Sequence, residues 1–482
     1  MTTLLLSLCI LVGGYFVYGL IAEKVFGTDY NRPTPAVTRH DGIDYMPMPT
    51  WKVFLIQFLN IAGLGPIFGA IMGVMFGPAA FIWIVAGTIF GGAVHDFISA
   101  MMSLRHDGES LPELVGRELG RPVRNVIRTV STMLLMLVAA VFVITPASLI
   151  AGMTPDWATT TFWIAVIFIY YMMATLLPID KLIGRFYPVF GFALLFMAAG
   201  LLGVLLFGGH AIPDGFADGL QNRHPSAESH PVFPMMFISI ACGAISGFHA
   251  TQSPMMARCL KSERLARPVF YGAMVAEGIV ALIWAAAAIT FTGGYEGLAH
   301  YMASHSGAGE LVHDISVGWL GSFGGILALL GVIAAPITTG DTALRSARLI
   351  VADFLGVGQS RLTGRLAVSL PLFAVTFGLM MIDFNVLWRY FAWTNQVLAA
   401  FTLWAATVYL ARHGRAYVLC LIPAMYMTVV TVTYILFAPS PEGFGLPMAL
   451  AASTGIATAV ICLALFARRL RAGFAQGNVL RN

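Results

Sequence analysis

Thirteen apolar windows, most of them near 20 residues long, divide this chain and constrain its fold more than any other feature. Lipid offers no hydrogen-bond partners, so a segment that crosses it must pair its own backbone groups, and a helix does this alone. The windows run over 2–23, 51–77, 79–104, 126–151, 159–178, 187–207 and 232–257, then over 267–292, 324–353, 365–382, 391–412, 416–437 and 445–468. Composition agrees: 58% of residues are hydrophobic and 10% charged, against roughly 45–50% and 25% in a soluble domain. A soluble enzyme is excluded. Nucleic-acid binding goes with it, because a net charge of +4 is accounted for by basic loops on one side of a membrane. Cys9, Cys242, Cys259, Cys420 and Cys462 are far apart and give neither a metal spacing nor a disulfide framework. The first window begins at Met1 with no basic flank, and no small-residue cleavage motif follows, so it is expected to be a span and not a removed leader.

If every window crosses, Lys and Arg must collect in every second connection. With the N-terminus outside and the C-terminus cytoplasmic, all of the 27 Lys and Arg residues except Arg223 and Arg389 fall on the inner side, including Lys181, Arg185 and Arg481. The two long outer connections, 208–231 and 293–323, hold Asp214, Asp218, Glu228, Glu296, Glu310 and Asp314. They either cover an entrance or are inert.

Two windows contain stretches that a continuous helix tolerates poorly, because Gly lowers helix stability and Pro removes a backbone donor. One is Ile61-Ala-Gly-Leu-Gly-Pro-Ile-Phe-Gly-Ala70, with Ala62, Gly63, Gly65 and Pro66 at its centre. The other runs from Cys242 to Pro254 and includes Gly243, Ser246, Gly247, His249, Thr251 and Gln252. Aligned without gaps, Gly63, Phe68 and Ala70 match Gly243, Phe248 and Ala250 at an offset of 180 residues. Five windows separate the two starts, so the second unit enters from the opposite side. The expected architecture is an all-α polytopic membrane protein of about 13 transmembrane helices. It comprises an N-terminal helix and cytoplasmic segment (1–50), a first five-helix repeat (51–207), an inverted second one (232–412) and two C-terminal helices with a basic tail (413–482). Glycines of this kind also permit close helix packing, which is the alternative for each run taken singly.

Ionisable side chains within spans are costly and face a partner or a water-filled cavity. Here they are His95, Asp96, His249, Glu277 and Asp341. Asp341 lies among Thr338, Thr339 and Thr342, hard oxygen ligands suited to a bound cation, with carbonyls near Ala62 able to complete a cation or proton site. Glu277, His95 and Asp96 are further proton-handling candidates. His95 and Asp96 also form a candidate metal pair, a weak one because adjacent helical residues point about 100° apart. Asn395 and Gln396 either bind a substrate or join helices by hydrogen bonds. No Arg or Lys is expected deep in the spans.

Arg32-Pro-Thr-Pro-Ala36, Asp41-Gly-Ile-Asp-Tyr45, Gln57-Phe58, Gly92-Ala-Val-His-Asp-Phe97, Gly247-Phe-His-Ala-Thr-Gln-Ser-Pro254, Glu277-Gly278 and Gly340-Asp341-Thr342 together resemble the carbon starvation protein A family of bacterial inner-membrane transporters. The resemblance covers most of the chain. It implies uptake of short peptides, or alternatively of pyruvate with protons, during carbon starvation, driven by a proton or sodium gradient. It also implies the inverted repeats of the amino acid/polyamine/organocation superfamily. Longer members continue past the thirteenth window, and any role of that extra part is not carried over. The expected partners are a small-molecule substrate and membrane lipid, with no cofactor beyond a coupling cation. A solute sensor without transport is the minor alternative, and counterflow of labelled solute separates it from a carrier. In a cysteine-free background, Arg223→Cys and Arg389→Cys are expected to react with an impermeant maleimide on intact spheroplasts, and Arg264→Cys and Arg412→Cys only after lysis. The reverse pattern would contradict the topology.

Overall fold

The computed structural model describes residues 1–42, 45–176, 179–213, 219–305, 307–359 and 361–475. Asp214, Asp218 and Arg481 therefore lie outside the described residues, as do Ile43 and Asp44 of one quoted segment and the side chains of Lys181 and Arg185. Among the described residues the regular structure is helical: α1 (Thr2–Phe26), α2 (Pro35–Thr38), α3 (Thr50–Ile61), α4 (Ala70–Val74), α5 (Ala79–Ala86), α6 (Ala93–Arg105), α7 (Leu111–Leu119), α8 (Arg121–Ala151), α9 (Thr160–Leu176) and α10 (Ile179–Phe207). The chain continues with α11 (Phe237–Ser239), α12 (Gly247–Ala257), α13 (Gly272–Phe291), α14 (Tyr295–Ser304), α15 (Ala308–Ala328), α16 (Ala335–Leu355), α17 (Leu362–Leu379), α18 (Phe384–Arg412), α19 (Val418–Phe437) and α20 (Met448–Ala475). Among the described residues, nine helices are long and apolar enough to cross a membrane, or ten if the bent pair Thr50–Ile61 and Gly65–Val74 is one span. The windows at 159–178, 232–257, 324–353 and 391–412 are helical but shorter, broken or richer in polar side chains, and they carry His249, Asp341, Asn395 and Gln396. Peripheral helices leave apolar side chains such as Phe16, Val17, Phe196, Ile169, Ile461 and Leu465 exposed, as a lipid-facing surface requires.

Ion pairs gather the basic connections at one end of the bundle. Arg105 pairs with Glu263 and donates to the Gly27 carbonyl at 3.1 Å, Arg267 pairs with Glu23 at 2.8 Å, and Arg412 with Glu118 at 3.2 Å. Arg258 donates to the Gly108 carbonyl at 2.9 Å. At the opposite end, the Met1 amine meets the Ile212 carbonyl at 3.4 Å, the Arg223 amide donates to Phe76, and Arg389 pairs with Glu442. The two basic residues that stand apart in the sequence alternation thus stand at the other end.

Both Gly-rich stretches interrupt their helices. α3 stops at Ile61, and Ala62 adopts φ −85°, ψ 36°. The chain resumes in a π-helical turn at Gly65–Gly69, bent by 53° from α3. In the second stretch α11 ends at Ser239, Ile240 adopts φ −93°, ψ 55°, and an irregular segment leads to Ser246, whose extended backbone (φ −144°, ψ 122°) opens α12. The two breaks abut. A β-carbon on Gly65 would lie 2.1 Å from the Cys242 Cβ, and one on Gly243 would lie 3.7 Å from the Pro66 Cα. Only glycine at position 65 permits this approach.

The connection expected at 293–323 is largely helical, made of α14 and the first part of α15. It doubles back at Gly321, whose φ of 63° and ψ of −155° are incompatible with helix. A β-carbon on Gly324 would lie 2.1 Å from the Ser316 carbonyl oxygen, so the chain on either side of Gly321 packs together and α15 is not one straight helix. Periodicity could not show this, because the second arm reads on into the helix that follows, while the first carries Glu310, His313 and Asp314 and reads as a connection.

Gly65→Ala is expected to lower the midpoint of thermal unfolding in detergent, at an overpacking cost of about 1–3 kcal/mol. Adding Cys242→Gly is expected to recover part of that loss. Strictly additive losses in the double variant would contradict the contact.

Candidate functional site

An interrupted helix leaves amides and carbonyls without their usual partners, and in a bundle they must be answered by side chains, water or a ligand. At the second break the answer comes from α18. Asn395 Oδ1 accepts from the Phe248 amide at 2.7 Å and from the Ser246 hydroxyl at 3.0 Å, while Asn395 Nδ2 donates to Cys242 Sγ at 3.5 Å. Gln396 Nε2 donates to the Ile245 carbonyl at 3.0 Å, and the Thr88 hydroxyl to that of Gly243 at 3.2 Å. Asn395 acts as a cap supplied from another helix. It reaches that position because Gly247 has no side chain: a β-carbon there would lie 2.4 Å from the Ala399 amide nitrogen. Of the two readings open for Asn395 and Gln396, joining helices is the one these bonds make.

One turn into α12, His249 stands in a fully buried chain of four ionisable groups. Its Nδ1 lies 2.9 Å from Asp96 Oδ2, and the other Asp96 oxygen lies 2.8 Å from His95 Nδ1. His249 Nε2 lies 3.5 Å from Glu277 Oε2 on α13. Asp96 as a carboxylate only accepts, so each imidazole must carry its proton at Nδ1 to complete these bonds. His249 Nε2 is then an acceptor when the ring is neutral. A hydrogen bond between this nitrogen and Glu277 would require either a protonated Glu277 or a protonated ring. At 3.5 Å the contact is longer than a normal hydrogen bond. Both Glu277 oxygens and His95 Nε2 are buried without a hydrogen-bond partner.

The first break is met by α16. The Thr339 hydroxyl lies 3.2 Å from the Leu59 carbonyl and 3.0 Å from that of Ala335, and the Thr342 hydroxyl lies 3.4 Å from Asn60 Oδ1 and 2.9 Å from the Thr339 carbonyl. Thr338 donates to Ala335 of its own helix at 2.7 Å. Asp341 faces a different neighbour: the Tyr187 hydroxyl of α10 is 3.2 Å from its Oδ2 and 2.9 Å from the Thr338 carbonyl. Thus Thr339 and Thr342 engage α3, while Asp341 engages α10, as the angular step between successive helical residues dictates. Arg345, one turn beyond Asp341, is also buried and donates to the Ala174 carbonyl at 2.8 Å. Arg348, further along the same helix, is buried as well. Their neighbours in the sequence are apolar or small, but a helix this polar needs interior partners.

A cavity of about 730 Å³ lies between the C-terminal part of α8, the end of α15 with the turn Leu329–Ala334 that follows it, the start of α18 and the connection at 302–314. That connection therefore forms part of the cavity wall. Phe68 and Trp388 line the cavity and stand 6.1 Å apart, and Trp388 packs on Phe391 at 5.4 Å, which meets Phe142 at 6.2 Å. Phe142 in turn reaches Gly63, where a β-carbon would lie 2.9 Å from its ring. An aromatic layer thus separates the cavity from the first break.

Ala62, Gly63, Gly65 and Pro66 make up the first break, and Gly243 and Ser246 the second, with Gly247, Thr251 and Gln252 on α12 beside it. Thr251 donates to the Phe248 carbonyl at 2.6 Å, and Gln252 Nε2 to Thr251 at 2.9 Å. His95 and Asp96 are hydrogen-bonded to each other, and among the described residues no group of three or more His, Cys, Asp or Glu is placed to hold a metal ion. Thr88, Tyr187, Gln57 and Asn60 belong to the site region and were not singled out. Gln57 and Asn60, buried at i, i+3 on α3 with amide atoms unpartnered, are a polar pair in an apolar window that hydropathy alone could flag.

The family model for carbon starvation protein CstA matches residues 1–162, 150–306 and 297–434. An uncharacterized membrane protein of Haemophilus influenzae is 43% identical over 330 residues, covering 58% of this chain and 89% of that one. The peptide transporter CstA of Escherichia coli is 26% identical over 559 aligned positions, covering 89% of this chain and 79% of the relative. The pyruvate/proton symporter BtsT of Escherichia coli is 28% identical over 341 residues, and the match takes in 58% of this chain and 47%, about half, of that protein. In fold, the chain is similar to the crystal structure of a manganese transporter from Eremococcus coleocola, with a TM-score of 0.54, 13% identity and coverage of 90% of this chain and 99% of the other. With the family model spanning most of its length, this multi-pass membrane protein belongs to the carbon starvation protein CstA family.

Proposed function

We propose that the chain is a secondary active importer of short peptides that works by alternating access and is driven by a proton gradient. The observation that carries this reading is the abutment of two helix breaks inside the bundle, Gly65 against Cys242, beside the buried chain His95–Asp96–His249–Glu277. Broken helices at the interface of two repeats are where secondary carriers bind substrate. In this reading residues 51–207 and 232–412 are inverted repeats of five helices each within a bundle of thirteen spans. The N-terminus is outside and the basic end faces the cytoplasm of a bacterial inner membrane.

The substrate lies against the backbone of both breaks, around Gly63, Gly65, Gly243 and Ser246. Its arrival alters the packing between α12 and α13 and so the 3.5 Å gap between His249 and Glu277. A proton entering from outside is held between those two groups and released inside when the bundle rocks. Imidazoles and carboxyls exchange protons, whereas a sodium site asks for a cage of oxygens. Asp341 with Thr338, Thr339 and Thr342 is the second candidate for the coupling ion. Peptide is favoured over pyruvate because the relative named a peptide transporter aligns over most of both chains. Pyruvate with a proton remains the second reading, carried by the relative named a pyruvate/proton symporter. Uptake under carbon starvation follows the family name.

In proteoliposomes, a proton gradient and not a sodium gradient is expected to drive accumulation of labelled dialanine. Glu277→Gln and His249→Gln are expected to reduce that accumulation to background while counterflow exchange persists. Full accumulation in both variants, with loss confined to Asp341→Asn, would contradict the assignment and move coupling to α16.

A further inference from the structure

The basic end of the bundle is mostly self-neutralised, and one edge of it is not. Arg105, Arg117, Arg267 and Arg412 pair with Glu263, Glu109, Glu23 and Glu118. Arg415, in the turn that leads into α19, and Arg468, Arg469 and Arg471, in the last two turns of α20, are exposed. Among the described residues none of these four side chains has a hydrogen-bond or ion-pair partner. The sequence supplies the reason: no Asp or Glu occurs from position 443 to position 482, so α20 carries nothing that could answer its own cations.

Packing brings the four to one level. Tyr417 meets Phe466 edge-on with ring centroids 5.3 Å apart, and Phe466 also reaches Trp404 at 6.4 Å. Arg415 stands two residues before Tyr417, and Arg468 and Arg469 follow Phe466 within one helical turn. Arg415 extends to the end of α1, where a β-carbon on Gly27 would collide with its guanidinium. Further into the bilayer the same two helices turn apolar side chains outward: Val418 and Ile422 on α19, and Ile461 and Leu465 on α20, are each half or more exposed. An unanswered cationic edge beneath an exposed apolar flank matches the amphipathic character of a lipid.

We propose that the ends of α19 and α20, with Arg415, Arg468, Arg469 and Arg471, form a site for the phosphodiester headgroup of an anionic phospholipid, whose acyl chains lie along the two helices. The site is independent of which solute the chain carries. Guanidinium groups suit phosphate oxygens because their fork of donors can bond two of them at once. A soluble phosphate compound would leave the apolar flank unused. A headgroup held here fastens the end of α20 to the turn that Arg415 shares with α1.

The test titrates the full chain in detergent under native mass spectrometry with dioleoyl-phosphatidylglycerol, dioleoyl-phosphatidylcholine and glycerophosphoglycerol, the first headgroup without its chains. Each cation near a membrane surface contributes about five-fold in affinity for an anionic lipid, so the first phosphatidylglycerol is expected to bind about ten-fold or more tightly than phosphatidylcholine. Glycerophosphoglycerol is expected not to displace it. Replacing Arg415, Arg468, Arg469 and Arg471 together by Gln is expected to remove the preference. Arg32→Gln with Arg121→Gln and Arg361→Gln, exposed cations elsewhere in the basic connections, is expected to keep it. Should the fourfold variant fail to fold, Arg415→Gln and Arg469→Gln singly are each expected to reduce the preference about five-fold. Equal binding of the two lipids by the wild type would overturn the site, as would a preference that survives the substitutions at 415 and 468–471. An equal loss in the variant at 32, 121 and 361 would also overturn it, because the attraction would then belong to the whole basic end. Displacement by glycerophosphoglycerol would replace the lipid with a soluble phosphate compound.

Discussion

Backbone groups released inside a membrane bundle have to be bonded by the protein or by a guest, and the interior of this molecule is organised around that requirement. Two helices are interrupted, and three other elements supply the partners. Asn395 and Gln396 reach from α18, Thr88 from the turn between α5 and α6, and Thr339 from α16. Each partner is a buried polar side chain. Losing one would expose a buried amide or carbonyl, at a cost of about 1–3 kcal/mol. The breaks can then sit back to back, because Gly65 and Gly243 let the two backbones meet.

The ionisable chain follows from the same packing. α12 begins at the second break, and its third residue, His249, is carried into the space between α6 and α13. There it meets Asp96 on one side and Glu277 on the other, so that four titratable groups share an interior closed to solvent. Buried charges of this kind are kept when they are used, since an apolar replacement would stabilise the fold at least as well. Because His249 is tied to the break through its own helix, a ligand that moves the break moves the imidazole. In the proposed carrier this would link the solute site to the proton site through one short rigid element.

Most of the architecture was legible in the residues because the strongest signals are local. Window length and the Gly-Pro punctuation at 61–70 and 242–254 each depend on neighbouring positions, and the structure is helical over the apolar windows and interrupted in both punctuated stretches. What was not legible depends on the third dimension. His249 and Asp96 were both ionisable candidates but were not paired, since 153 residues separate them and nothing local ties an imidazole on α12 to a carboxylate on α6. Asp341 was grouped with its threonines, although helix rotation sends Thr339 to α3 and Asp341 to Tyr187. The reversal at Gly321 and the cavity beneath it were hidden for a similar reason. A single left-handed glycine inside an apolar stretch looks like any other glycine until both arms are seen side by side.

An electron cryo-microscopy map of the protein in a lipid nanodisc tests the central claim most directly. It is predicted to show helix interrupted at 62–64 and 240–246, the two interruptions in van der Waals contact, and the His249 ring between the carboxyls of Asp96 and Glu277. Continuous helix through either segment, or a His249 ring beyond hydrogen-bonding reach of both carboxyls, would contradict it.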